Sequence, residues 1–412
     1  MDLRGFLRSG HTPTLVCAFL YFDISFMVWV LLGALANSIV PELELTPSQR
    51  GFMVAVPILG GAVLRVGLGW LTDYIGARKS GLIGLVLTIF PLLLGWLWTD
   101  SFEKLLVVGF LLGIAGASFA AALPLASRWY PPKYQGLAMG IAGAGNSGTA
   151  IATFFAPRLV EWTGSWNAVL GLALIPLIAT LVLFFLFAKD SPNQPEPKPW
   201  KDYATVLAQR DTWWFCVLYS VTFGGFVGLA SFLNSYFSVE YGLDPVNAGM
   251  FATLCVVSGS LLRPVGGYLS DRFGGVNVLM AIFAVVGVLV LAQAAAPPIY
   301  LGAGLLLLIM GGLGMGNGAV FQLVPQRFSS EIGIVTGIVG AAGGVGGFFL
   351  PSVLGMLKQT TDSFAGGFLL FALSSLGCVC IVILANRRWE GVFVAKGGRA
   401  AVQEPEPQGV VT

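Results

Sequence analysis

The chain has 412 residues, 56% of them hydrophobic and only 10% charged, with 55 glycines and a formal net charge of +2. Apolar runs of roughly 20 residues succeed one another along it, each long enough for a helix to cross a hydrocarbon layer about 30 Å thick. A soluble fold is excluded, because about twelve such runs packed as a core would leave too little polar surface to dissolve.

The expected class is an all-α membrane protein of twelve transmembrane helices embedded in a lipid bilayer. The apolar stretch after Thr12 is too long for a signal peptide and lacks a small-residue cleavage site, so it reads as a permanent first span. His11, the single histidine, stands at its start as a solvated interfacial residue. Spans are predicted at 14–39, 49–72, 79–98, 104–127, 135–160, 166–188, 212–238, 246–270, 276–296, 299–325, 332–357 and 364–386. Between the sixth and seventh lies KDSPNQPEPKPWKDYATVLAQRD, whose prolines and charges cannot form a span. The predicted organisation is a six-helix half (1–188), a cytoplasmic linker (189–211), a second six-helix half (212–390) and a disordered cytoplasmic tail (391–412). With both termini inside, only Arg50, Lys104, Arg158 and Lys358 fall outside, and only Arg65 and Arg263 lie within the membrane, as the positive-inside rule requires.

The halves repeat. LRVGLGWLTD places Asp73 eight residues after Arg65, and LRPVGGYLSD places Asp271 eight after Arg263, 198 positions further on. Arg128 and Arg327 close the fourth and tenth spans, and FFAP (154–157) has a counterpart in FFLP (348–351). Such a parallel duplication resembles the major facilitator superfamily, which implies a substrate site near mid-membrane exposed alternately to each side. TDYIGARK (72–79) and SDRFGG (270–275) resemble its inner loops, where Asp73 and Asp271 would pair with inner-side basic residues and act as gates.

Eight residues at 1.5 Å each put Arg65 and Arg263 roughly 12 Å inside the boundary marked by their acids, close to the centre of the layer. An arginine there is disfavoured by at least about 2.5–3.5 kcal/mol, so a chain carrying two has an anion for them to bind. The alternative is that each ties helices together through backbone carbonyls or a carboxylate. Only Asp23 is placed to neutralise them, at about the same depth in the first helix. The fifth span contains GAGNSG (143–148) and the eleventh GAAGGVGG (340–347), glycine densities that imply close backbone contact with helices or with a small ligand.

These runs, with one intramembrane arginine in each half, resemble the signature of the nitrate/nitrite porters of the major facilitator superfamily over essentially all twelve spans. The resemblance implies nitrate held between Arg65 and Arg263, with an amide from Asn146 and glycines Gly143, Gly145, Gly148, Gly340, Gly343 and Gly344 close by. By the same resemblance, rings at Phe26 and Phe119 cover the anion, and the seventh helix offers Tyr219 and Phe223, four apart on one face. A guanidinium fork matches two oxygens of a planar anion, and a lysine does not.

The expected function is transport of nitrate and nitrite across the bacterial cytoplasmic membrane by a chain that functions as a monomer. Asp23, as coupling candidate, tilts the mechanism toward proton symport; nitrate/nitrite exchange and carriage of another small anion such as a monocarboxylate stay open. A membrane sensor on the same scaffold would need an extra soluble domain, and the longest polar segment is the linker. No enzyme, cofactor or metal site is expected: the five cysteines lie in apolar runs without ligand spacing, and no nucleophile stands with a base. Nucleic-acid binding lacks a concentrated basic surface.

Overall fold

A computed structural model describes residues 3–192, 200–328 and 332–400. Among them, eleven helical segments are long and apolar enough to cross a membrane: Thr12–Glu42, Pro47–Ile75, Ala77–Leu97, Phe102–Ser127, Trp166–Phe187, Arg210–Tyr241, Pro245–Phe273, Gly275–Ala294, Ile299–Arg327, Ile334–Thr361 and Ala365–Trp389. The remaining crossing, fifth in order, is assembled from pieces too short to qualify alone. A helix Pro132–Gly143 leads into a 3-10 turn Ala144–Ser147 and then a second helix Gly148–Thr163.

The halves differ in continuity. The first span breaks at Val30 between Thr12–Trp29 and Leu31–Glu42, and the fourth breaks at 117–118 between Phe102–Gly116 and Phe119–Ser127. Their counterparts, the seventh and tenth spans, run unbroken, as does the eleventh opposite the fifth. A break releases backbone carbonyls from the helical ladder, and inside a membrane each of these needs another donor.

The halves meet along three helix pairs: the first span on the seventh, the second on the eleventh and the fifth on the eighth. At the end remote from the chain termini these pairs touch backbone to backbone. A Cβ on Gly33 would run into the Ser231 carbonyl, one on Gly51 into the Pro351 carbonyl, and one on Gly249 into the Thr153 carbonyl. Polar groups close the same seams. Asn37 Nδ2 donates to the Asn234 carbonyl (3.0 Å) and to Ser238 Oγ (2.8 Å), Asn234 Nδ2 donates to the Ala34 carbonyl (3.2 Å), and the Thr153 and Thr253 hydroxyls are 2.8 Å apart.

At the terminal end, among the described residues, no hydrogen bond or ion pair joins the two helical halves. Interactions there stay within each half: Arg128 Nη2 pairs with Asp73 (2.9 Å), and the Arg78 amide donates to Asp190 (2.8 Å). The loops carrying the repeated motifs turn on Gly76 (φ 96°) and Gly274 (φ 92°), both in the region that favours glycine. Among the described residues, the expected ion pair of Asp271 is not formed. Asp271 is exposed, and Arg327 pairs instead with Asp211 in the first turn of the seventh span (2.6 Å), where the Trp389 indole also donates (2.9 Å). His11 caps the first span by accepting the Thr14 amide (3.3 Å); partial burial, reinforced by Lys189, lowers its pKa. Four cysteines are buried and Cys380 is exposed.

The linker includes a helix, Trp200–Leu207, too short to span, and the tail expected to be disordered is ordered in its first part: beyond the last span Val394–Ala395 pairs antiparallel with Arg399–Ala400 around a turn that packs under the Gly274 loop. The local cause is the adjacent pair Gly397 and Gly398, both at positive φ, which lets the backbone fold back. Residues 401–412 lie outside the described residues.

If backbone contact closes the remote end, Gly33→Leu should force it apart. A cysteine introduced at Val40, which lines a cavity of ≈ 110 Å³ between the halves there, should then react with a membrane-impermeant maleimide several-fold faster, measured in a Cys380→Ser background.

Candidate functional site

Arg65 is 1% exposed and makes no ion pair among the described residues. Its charge is met by backbone. Nη1 donates to the Gly340 carbonyl of the eleventh span (2.7 Å) and Nη2 to the Gly116 carbonyl of the fourth (2.8 Å), while Nε has no partner. The Gly116 carbonyl is free because the helix breaks there: the Ala120 amide bonds Ala117 instead (3.0 Å). Three rings complete the enclosure, with Arg65 Cζ 5.3 Å from the centroid of Phe119, 5.6 Å from Phe223 and 5.9 Å from Trp29.

Arg263 approaches the same place from the other half. Its Cζ lies 6.0 Å from the Phe119 centroid, so one ring faces both cations, and its buried Nη1 has no partner. The Tyr219 side chain interacts electrostatically with both guanidinium groups, and more strongly with Arg263. Tyr219 and Phe223 stack nearly parallel, with centroids 5.0 Å apart and planes at 3°. Arg65, Arg263, Phe119, Tyr219 and Phe223 thus lie together in one layer.

Phe26 stands one layer back. It packs edge-on against Phe22, Trp29 and Phe223, and it is Trp29, three residues on, that faces Arg65. Phe321 of the tenth span escaped the sequence reading, although its ring meets both Tyr219 (5.0 Å) and Phe119 (6.1 Å). The depth estimate applied to Arg327 would have found it, since six residues place it about 9 Å in.

Asn146 lies in the 3-10 turn of the fifth span, fully buried. With its amide turned to satisfy both ends, Nδ2 donates to the Ala144 and Gly143 carbonyls (3.3 and 3.2 Å). Asp23 pairs with neither arginine. Its Oδ1 accepts from Ser147 Oγ (2.7 Å), so it joins the first helix to the break in the fifth. Gly145 and Gly148 let that break press onto the backbone around Asp23, Gly340 sits against Arg65, Gly343 against Tyr219 and Phe223, and Gly344 against Ala62. A Cβ on Gly143 would meet nothing within 4 Å.

The layer thus holds two guanidinium groups, neither bonded to a carboxylate among the described residues, and flat rings on several sides. A small planar anion fits that chemistry: nitrogen donors reach its edge and rings cover its faces. Among the described residues no group of three His, Cys, Asp or Glu side chains is gathered that could hold a metal ion.

Similar proteins agree with this architecture. Residues 17–351 match the model of the Major Facilitator Superfamily. A protein of Bacillus subtilis (strain 168) named "Nitrite extrusion protein" is 34% identical over 366 residues, covering 89% of this chain and 91% of the relative. The "Probable nitrate/nitrite transporter NarK2" of Mycobacterium tuberculosis is 36% identical over 378 residues (89% and 94%). The "Probable nitrate/nitrite antiporter NarK1" of Thermus thermophilus is 32% identical over 404 residues (90% and 91%). Among solved structures, the xylose transporter XylE from E. coli, in a partially occluded inward open conformation, superposes with a TM-score of 0.71 at 14% identity, covering 91% of this chain and 99% of that one. A bacterial homolog of the human lysosomal transporter Spinster gives 0.64 at 17% identity (91% and 95%). The broken and glycine-packed helices, the duplicated halves and these matches place the chain in the Major Facilitator Superfamily.

Proposed function

We propose that this chain carries nitrate, and with it nitrite, across the bacterial cytoplasmic membrane by alternating access. The observation that carries the reading is a pair of arginines, one from each half, facing the same Phe119 ring with no carboxylate among the described residues bonded to either. The names of the relatives point to the same substrates. Residues 1–188 and 212–390 act as the two moving bodies, 189–211 links them, and the end bearing the termini faces the cytoplasm. Arg65 grips the edge of the anion, Arg263 and Tyr219 the opposite edge, and Phe119 and Phe223 cover it. Asn146, Phe26 and the glycines Gly143, Gly145, Gly148, Gly340, Gly343 and Gly344 shape the walls. Asp73 and Arg128 hold the cytoplasmic end of the first half together.

Proton symport rests on Asp23. Because Ser147 occupies it and no arginine does among the described residues, this acid is free to exchange a proton without disturbing the anion's own ligands. Its bond spans the junction of the first and fifth helices, a place where protonation would loosen one conformation. Nitrate/nitrite exchange is favoured by a different feature. Without an anion, two cations stay in a low-dielectric layer, which holds the carrier back until the site reloads.

In proteoliposomes, Arg65→Lys and Arg263→Lys should each lower nitrate uptake at least tenfold, as expected from losing a charge-assisted fork worth about 1.5–3 kcal/mol. Near-normal uptake in both variants would remove the site as drawn, and stronger competition by formate or acetate than by nitrite would reassign the substrate. Asp23→Asn should abolish nitrate accumulation driven by an imposed proton gradient while leaving nitrate/nitrite counterflow largely intact. Equal proton-driven accumulation in variant and wild type would rule symport out.

A further inference from the structure

Asn317, in the tenth span, is fully buried, and neither end of its amide has a hydrogen-bond partner. A buried polar group without a partner is costly, so two on one side chain are a strong departure from how buried amides are normally held. Its neighbours fix where it points. A Cβ on Gly316 would touch Thr222 of the seventh span, and one on Gly318 would touch the Arg263 carbonyl of the eighth. With about 100° between successive residues, position 317 projects between those two helices. Phe321 lies one turn further on the same face and touches Tyr219 and Phe119. Two further groups beside this gap are also buried and unpartnered: Thr222 Oγ1 and Arg263 Nη1. A residue that merely glued helices together in a membrane would have found an acceptor or donor on the adjoining helix.

We infer that Asn317 is a ligand of the transported anion. Its Nδ2 donates to one anion oxygen while Arg263 Nη1 donates to another, giving the second half a side-chain amide where the eleventh helix has none. In the internal repeat it stands opposite Ser118, 199 residues earlier, beside the ring that both arginines face; the Ser118 hydroxyl is likewise buried and unpartnered. The inference rests on the anion-transport reading, and it deepens that reading by assigning one more donor to the site.

The test is the unfolding midpoint of the full-length protein in detergent, titrated with sodium nitrate, nitrite or formate at constant ionic strength. Asn317→Leu matches the volume of the amide without its polar atoms. It should keep or raise the midpoint without anion, and it should need at least tenfold more anion for the same stabilisation. A wild-type anion dependence in Asn317→Leu, with or without a lowered anion-free midpoint, would overturn the inference. Should the leucine variant fail to fold, Asn317→Ser is read by the same tenfold criterion. If formate and not nitrate stabilises the wild type, the nitrate reading falls and Asn317 is judged on formate. A wild type stabilised by none of the three anions overturns both.

Discussion

A guanidinium buried at mid-membrane without a carboxylate governs much of how this protein is built. Placing Arg65 there is disfavoured by at least about 2.5–3.5 kcal/mol, and the compensation comes from backbone and rings. Gly116 and Gly340 each lend a carbonyl, and Phe119, Phe223 and Trp29 enclose the cation. Carbonyls blunt the charge without cancelling it. The arrangement holds the fold together and still leaves net positive charge for an anion to meet, which is why the arginine can be structural and substrate-binding at once. A Cβ on Gly340 would stand 3.0 Å from Nη1, so even the residue type of the acceptor follows from this contact.

The same constraint accounts for the asymmetry between the halves. Helices of the first half break beside Trp29, Phe119 and Asn146, whereas their repeats run straight. The breaks in the fourth and fifth spans are met locally: Arg65 donates to the Gly116 carbonyl, Asn146 donates to the Gly143 and Ala144 carbonyls, and Asp23 accepts from the Ser147 hydroxyl. The second half has no such breaks, and its polar groups at the same level, Asn317, Thr222 and Arg263 Nη1, lack protein partners.

Closure is just as one-sided. At the remote end the halves lock through Gly33, Gly51 and Gly249 and through the asparagines Asn37 and Asn234, all contacts that need backbones to touch. At the terminal end the ion pairs Asp73–Arg128 and Asp211–Arg327 each stay within a half. Short-range steric contacts at one end and self-contained halves at the other allow the two bodies to part at the terminal end without breaking a charge pair between them.

Much of this was legible in the residues because the membrane leaves few solutions. Apolar length sets the crossings, the 198-residue repeat sets the halves, and eight residues from each aspartate set the depth of Arg65 and Arg263. Those are properties of one helix at a time. Pairings between helices are not: that Trp29 rather than Phe26 faces Arg65, that Asp211 rather than Asp271 takes Arg327, and that Asp23 bonds Ser147 rather than an arginine. Each depends on helix rotation and on where a helix breaks, settled by packing among several helices at once. The chain by itself determined what kind of charge sits at which depth; only the tertiary structure decided what meets it, because depth is counted along one axis and partners are chosen around it.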